Sequence, residues 1–140
     1  MSHELSGLVI LNTRPLFLGA SQSFTALIEY HGGKTYPLPL QDIKDYPFVM
    51  PKLNNFQKIV FVSQAAVYYF FHHLKETIPP NIKIIAIGKA TAKAIEKHHV
   101  TVNFFSEDAN SESLLKSHEF QDVDLQSILW VRGTHGRTLI

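Results

Sequence analysis

Lys58-Ile59-Val60-Phe61-Val62-Ser63-Gln64-Ala65-Ala66-Val67 changes its periodicity in mid-course, and that change decides the fold. Ile59 to Val62 is apolar without a break, which is how a strand reads when both of its faces are covered inside a parallel sheet. From Ser63 onward the apolar residues Ala66, Val67, Phe70, Phe71 and Leu74 recur at helical spacing, which predicts a helix over 63–74. Pro79-Pro80 breaks the chain, and Lys83 to Ile87 repeats the unbroken apolar run. Gly88 then turns the chain into a helix expected over Thr91 to His98. Strand, helix and strand with no hairpin turn between them make a parallel βαβ unit.

The same alternation extends in both directions. Downstream, Val100 to Phe105 reads as a strand, Ser111 opens a helix through Leu114-Leu115, and Ser127 to Val131 is a last strand closing on Arg132-Gly133. Upstream, Leu8 to Leu11 is a short apolar strand, and Gly19 to His31 is a helix carrying Phe24, Leu27 and Ile28 on one stripe. Gly32-Gly33 ends that helix, since glycine reaches the left-handed conformation without steric cost. Lys34 to Leu40 follows as a strand whose Pro37 and Pro39 lack ladder donors, marking it as an edge or exit strand. Residues 41–57, with Pro47 and Pro51 and weak periodicity, read as a connection with one short helix. The expectation is an α/β protein with flavodoxin-like parallel sheets. Strands near 58–62, 83–87, 100–105 and 127–131 form one sheet, and the first two strands pack elsewhere.

Composition narrows the function. Hydrophobic residues make up 45% and charged residues 18% of the 140, so the chain has the makings of a packed core. Thirteen basic against 12 acidic residues give a net charge of +1, too little to attract nucleic acid or an anionic membrane as a whole. The absence of cysteine excludes disulfides, thiolate chemistry and cysteine zinc sites, and agrees with a reducing compartment. Met1 to Gly7 lacks the basic-then-apolar pattern of a signal peptide. The apolar runs are strand-length, well short of the ~20 residues of a membrane helix. A soluble, cytoplasmic chain is expected.

Ligands of open parallel sheets bind outside the carboxyl ends of the strands. Four turns there carry polar or basic residues: Asn12-Thr13-Arg14, Ser63-Gln64, Gly88-Lys89-Ala90-Thr91, and Arg132-Gly133-Thr134-His135-Gly136-Arg137. None holds Asp or Glu, and each leads toward a helix whose first amides favour an anion. Thr13, Arg14, Ser63, Gln64, Lys89, Thr91, Arg132 and Arg137 are therefore candidate anion-binding residues. Each also has a plainer role. Ser63 and Thr91 can cap helices, Lys89 can be a solvated turn lysine, Arg132 and Arg137 can neutralise carbonyls, and Arg14 can anchor a helix entrance. No G-x-G-x-x-G or Walker sequence occurs, and the first strand ends without the acids of a phospho-acceptor domain. His72-His73 and His98-His99 are adjacent pairs that point apart on a helix, so no metal site is expected.

Taken in order, these turns resemble those of the uroporphyrinogen-III synthase family. Leu11-Asn12-Thr13-Arg14-Pro15 is similar to the family's opening, and Phe61-Val62-Ser63-Gln64-Ala65-Ala66-Val67 to its strand ending in serine followed by Ala-Val. Ala86-Ile87-Gly88-Lys89-Ala90-Thr91-Ala92 resembles its Ala-Ile-Gly-x-x-Thr-Ala signature, Ser111 to Leu115 a helix start, and Arg132 to Arg137 an Arg-Gly-x-x-x-Arg turn. Gln64 and the histidines at 98 and 99, where a glycine is common, depart from the pattern.

The resemblance implies a two-domain synthase fold of which only the N-terminal part is present. Residues 1–40 would open the discontinuous first domain, and 41–140 would be most of the inserted second one. It also implies a cofactor-free hydro-lyase that closes hydroxymethylbilane, an eight-carboxylate linear tetrapyrrole, with inversion of the last pyrrole. The carboxylates would be met by the candidate residues, with Thr13 and Arg14 across a cleft; no catalytic residue is assigned. A chain cut short in this way is expected to be inactive alone, and to self-associate through the bare Phe24, Leu27 and Ile28 stripe or an open strand edge. The rival readings are a non-catalytic anion-binding module of flavodoxin-like shape and a structural domain whose polar turns only cap helices.

Overall fold

A computed structural model describes residues 4–108, 111–121 and 127–134. The chain divides into two compact units, Met1–Tyr46 and Pro47–Ile140.

The first unit is a parallel two-stranded sheet and one helix. β1 (Val9–Asn12) pairs with β2 (Lys34–Pro37), Val9 opposite Lys34 and Leu11 opposite Tyr36. A 3₁₀ turn over Phe17–Gly19 leads into α1 (Ala20–Tyr30), which covers one sheet face. Asn12, 2% exposed, holds the two together: its Nδ2 donates to the Ser21 carbonyl and hydroxyl at 3.2 and 3.0 Å. Gly33 lies so close to Ile28 that a Cβ would sit 2.8 Å from its Cγ2. Ile28 is consequently buried at 8%, so of the expected bare stripe only Leu27 stays largely open, at 55%, while Phe24 is half-buried. Apolar surface also stays open on the sheet, where Val9, Leu11 and Tyr36 are 62, 58 and 63% exposed.

The second unit is a four-stranded, wholly parallel sheet. β3 (Lys58–Phe61), β4 (Lys83–Ile87), β5 (Phe104–Ser106) and β6 (Ile128–Val131) lie in the order β5-β4-β3-β6. Strand alternation sorts the core into two layers. Ile59, Phe61, Ile84 and Ala86 pack with Val67 and Phe70 of α2 (Gln64–His73) and Ala92 and Ile95 of α3 (Lys89–Glu96). Val60, Ile85 and Ile87 face the other way, onto Leu114 of α4 (Ser111–Leu115) and onto Phe120. The unbroken apolar runs are thus explained by helices on both faces. Phe61 is fully buried, edge-on to Phe70 at 5.0 Å and stacked on Phe71 at 6.0 Å.

Several boundaries differ from expectation. β5 begins at Phe104 rather than Val100, because Asn103 closes against β4 instead. Its backbone N–H donates to the Ile84 carbonyl at 2.8 Å, and its Oδ1 accepts from Ile84 N–H at 2.6 Å. Helix α3 begins at Lys89, two residues early, because Gly88 (φ 83°) makes the turn in one step and its carbonyl accepts from the amides of Thr91 and Ala92. Within 41–57 the helical segment is a 3₁₀ turn over Leu53–Asn55, and Leu53 is buried in the core.

Candidate anion-binding site

Parallel strands bring all their carboxyl ends to one edge, so the turns after β3, β4, β5 and β6 share one side of the second unit. Helices α2 and α3 leave toward one face of the sheet, and Leu114 and Phe120, between β5 and β6 in the chain, lie over the other. The strand order therefore reverses between β3 and β6, the place at which ligands of open parallel sheets bind. Ser63-Gln64 on one side and Arg132 on the other flank it; Lys89 and Thr91 follow β4, one strand further out.

Ser63 caps α2, and the plainer reading of this residue is realised: its Oγ accepts from Ala66 N–H at 3.1 Å. Accepting that bond leaves its own O–H to donate, so capping does not exclude a ligand. Gln64 is the first residue of α2 and is exposed. Lys89 opens α3 and is also exposed, but Thr91 is 5% exposed inside the first turn. Gly88 holds the cap position of α3, so Thr91 is not the cap that the sequence allowed. Arg132 follows β6 and is exposed. Arg137 lies outside the described residues.

Thr13 and Arg14 belong to the other unit. The Asn12 side chain builds their turn, its Oδ1 accepting from Arg14 N–H at 3.2 Å. The Thr13 carbonyl accepts from Leu40 N–H, and the Arg14 guanidinium lies 4.6 Å from the centre of the Phe24 ring. That contact is the anchoring role anticipated for Arg14.

Three polar features escaped the sequence reading, two of them on this edge. Ser106, 3% exposed at the end of β5, accepts from Gly88 N–H at 3.3 Å and so braces the turn that carries Lys89. Asn12 builds its turn in the same manner; in both cases a short polar residue closing an apolar strand was the available signal. Glu107 and Asp108 follow β5 directly, and Asp108 accepts from the Ser113 hydroxyl at 3.0 Å. The carboxyl edge is thus acidic at β5 and basic at β4 and β6.

The opposite edge carries a second charged cluster. Lys58 and Lys83 stand opposite each other at the starts of β3 and β4. The Glu119 carboxylate lies 3.6 Å from Lys58 Nζ and 3.1 Å from Lys83 Nζ, and Lys58 also donates to the Glu119 carbonyl. Burial pushes the Glu119 carboxyl up, but the bond and charge of Lys83, with those of Lys58, outweigh it and hold it below its ordinary value. This cluster lies at the amino ends of the strands, away from the turns just described.

Fold and strand order together define a doubly wound α/β domain. Residues 22–140 match the family model described as uroporphyrinogen-III synthase HemD, and the chain belongs to that family. A curated relative, the uroporphyrinogen-III synthase of Chlorobaculum parvum, is 30% identical over 132 residues, covering 89% of this chain and 53% of the relative. Among solved structures, uroporphyrinogen-III synthetase from Helicobacter pylori superposes with a TM-score of 0.58 at 17% identity, over 81% of this chain and 53% of that one. The fold is shared, and the chain spans about half the length of either protein. Among the described residues no helix is long and apolar enough to cross a membrane.

Proposed function

We propose that this chain carries one wall of the substrate cleft of a uroporphyrinogen-III synthase, binding carboxylates of hydroxymethylbilane where the strand order reverses between β3 and β6. The observation that carries the reading is the meeting of the capped start of α2, the start of α3 and Arg132 on one sheet edge, with the acids set aside at β5. Two helix starts supply backbone donors and a favourable dipole, and Ser63, Lys89 and Arg132 add a hydroxyl and two cations. Loss of the hydroxyl as water, inversion of the last pyrrole and ring closure require that two distant carbons of a flexible chain be brought together. That is a task of positioning, which carboxylate clamps perform without metal or cofactor.

A single wall leaves this site open to solvent. Charge-assisted hydrogen bonds, worth ~1.5–3 kcal/mol when dry, fall toward the ~0–1 kcal/mol of exposed ion pairs. Weak, salt-sensitive binding of an octacarboxylate porphyrin is expected, with no turnover by the isolated chain. The test is an NMR titration with uroporphyrin at low and moderate salt, comparing the chain with its Lys89→Ala/Arg132→Ala double variant. Shifts at Gln64, Ala90 and Val131 whose affinity falls about tenfold in the variant, with the fold unchanged, support the site. Equal affinities end the claim. Incubation with freshly generated hydroxymethylbilane reads the second half: type III product above the spontaneous type I isomer would show that one wall suffices.

A further inference from the structure

We propose that Ser106 is a positioning residue of the carboxylate site: its buried hydroxyl fixes Gly88, and through Gly88 the first turn of α3 that presents Lys89. Its role rests on the carboxylate-binding reading and adds to it a residue that touches no ligand.

Gly88 is the one joint between β4 and α3. It follows Ile87, which stands opposite Ser106 in the β4–β5 ladder. Its φ of 83° and ψ of 150° lie in a region essentially closed to residues with a Cβ, so glycine is required there. Glycine is also the residue with the widest choice of conformations, and a joint built from it stays aimed only if it is held. Two sets of bonds hold it. On the helix side the Gly88 carbonyl accepts from the Thr91 and Ala92 amides, both at 3.1 Å. On the strand side its N–H donates to Ser106 Oγ at 3.3 Å. In a regular parallel ladder a carbonyl takes such an N–H; here a side chain does, so one substitution can remove the bond.

Ser106 is itself well fixed. It is 3% exposed, and the chain just beyond it is tied down where Asp108 accepts from the Ser113 hydroxyl at 3.0 Å. What it holds is the aim of a set of donors. With the Thr91 and Ala92 amides taken by Gly88, those of Lys89 and Ala90 have no intrahelical partner and remain for an anion, beside the exposed Lys89 side chain. Released from Ser106, Gly88 can rotate, and a ligand must then order the turn as it binds, which lowers affinity.

The test is NMR titration with uroporphyrin, together with amide exchange. In the parent chain the Gly88 amide should exchange more slowly than those of Lys89 and Ala90; equal rates overturn the brace before any variant is made. Ser106→Ala fills the same space without the acceptor. Its affinity should fall about fivefold, the worth of one hydrogen bond, with the fold unchanged. Lys89→Ala should then cost less in that background than in the parent chain, because the ammonium is no longer aimed. Asn103→Ala frees the other end of β5 from Ile84 and should lower stability without lowering affinity. An equal affinity loss in Asn103→Ala, full additivity of Ser106→Ala with Lys89→Ala, or no loss in Ser106→Ala overturns the positioning role. If Lys89→Ala/Arg132→Ala also leaves affinity unchanged, the carboxylate reading falls and this role with it; if that pair loses affinity while Ser106→Ala does not, the role of Ser106 falls alone.

Discussion

His99 ends the turn after α3 with φ at 60°, a conformation that costs a residue bearing a Cβ about 1–2 kcal/mol relative to right-handed backbone. Its amide donates to the Glu96 carbonyl at 2.9 Å and its side chain is exposed, so the backbone, not the imidazole, meets the needs of the turn. His99→Gly removes the steric cost while adding freedom to the unfolded chain, which takes back about 0.4–1 kcal/mol. The net expectation is a gain of about 0.5–1 kcal/mol, or roughly 3–6 °C in the midpoint for a domain of this size. His99→Ala keeps its Cβ and should gain nothing. His98, stacked on Phe71 with ring centres 4.1 Å apart, stays untouched in both variants. Urea unfolding followed by Trp130, the single tryptophan, reports on this unit specifically. If the glycine and alanine variants unfold at the same urea concentration, the strain argument is wrong.

Two further outcomes follow from the described geometry. Glu119 has a folded pKa below its ordinary value, so the stability from its ion cluster is fully present above that ordinary value of 4.5 and is lost as pH falls through the folded one. Glu119→Gln should cost about 1–3 kcal/mol at neutral pH and flatten the acid limb of the stability profile, since the variant has no carboxylate to titrate there; an unchanged acid limb would refute the assignment. Gly33→Ala forces a Cβ to within 3.3 Å of the Ile28 carbonyl as well as against its side chain. It should cost about 1–3 kcal/mol, seen as loss of helical signal from the first unit at lower urea, with Trp130 unaffected.

Much of this fold was legible because its central strands are covered on both faces. Such strands have no polar alternation to confuse with anything else, and β3 and β4 were readable to within a residue. The start of α3 was missed because a glycine at φ 83° caps without a side chain, leaving no polar signature. The start of β5 was missed because Val100, Val102 and Phe104 alternate as in a strand, yet the first two pack on the core from a loop that Asn103 closes. Lys58 is a starker case. A lysine at a strand start reads as solvated, and Glu119, 61 residues onward, lets it lie 5% exposed by offering both its carboxylate and its backbone carbonyl. The turns that carry Ser63, Lys89 and Arg132 were found by position along the strands. The acidic end of β5 was not, because the strand was drawn one residue short of its true end and the turn after it was never considered.

The strand that delivers Arg132 is also the one whose pairing spans the most chain: Lys58 meets Ile128 across 70 residues, whereas it meets Lys83 across 25. During synthesis, β3, α2 and β4 can pack long before β6 emerges, and non-local pairing of this kind comes late in folding. Among the described residues β6 is held by β3 alone, so its end is a natural place for the folded protein to fray. Amide exchange at Val62, which donates to the Val131 carbonyl, is the gauge of that opening. An anion bridging Arg132 to the start of α2 would act as a clasp across β3 and β6, and exchange at Val62 would slow as the ligand is added.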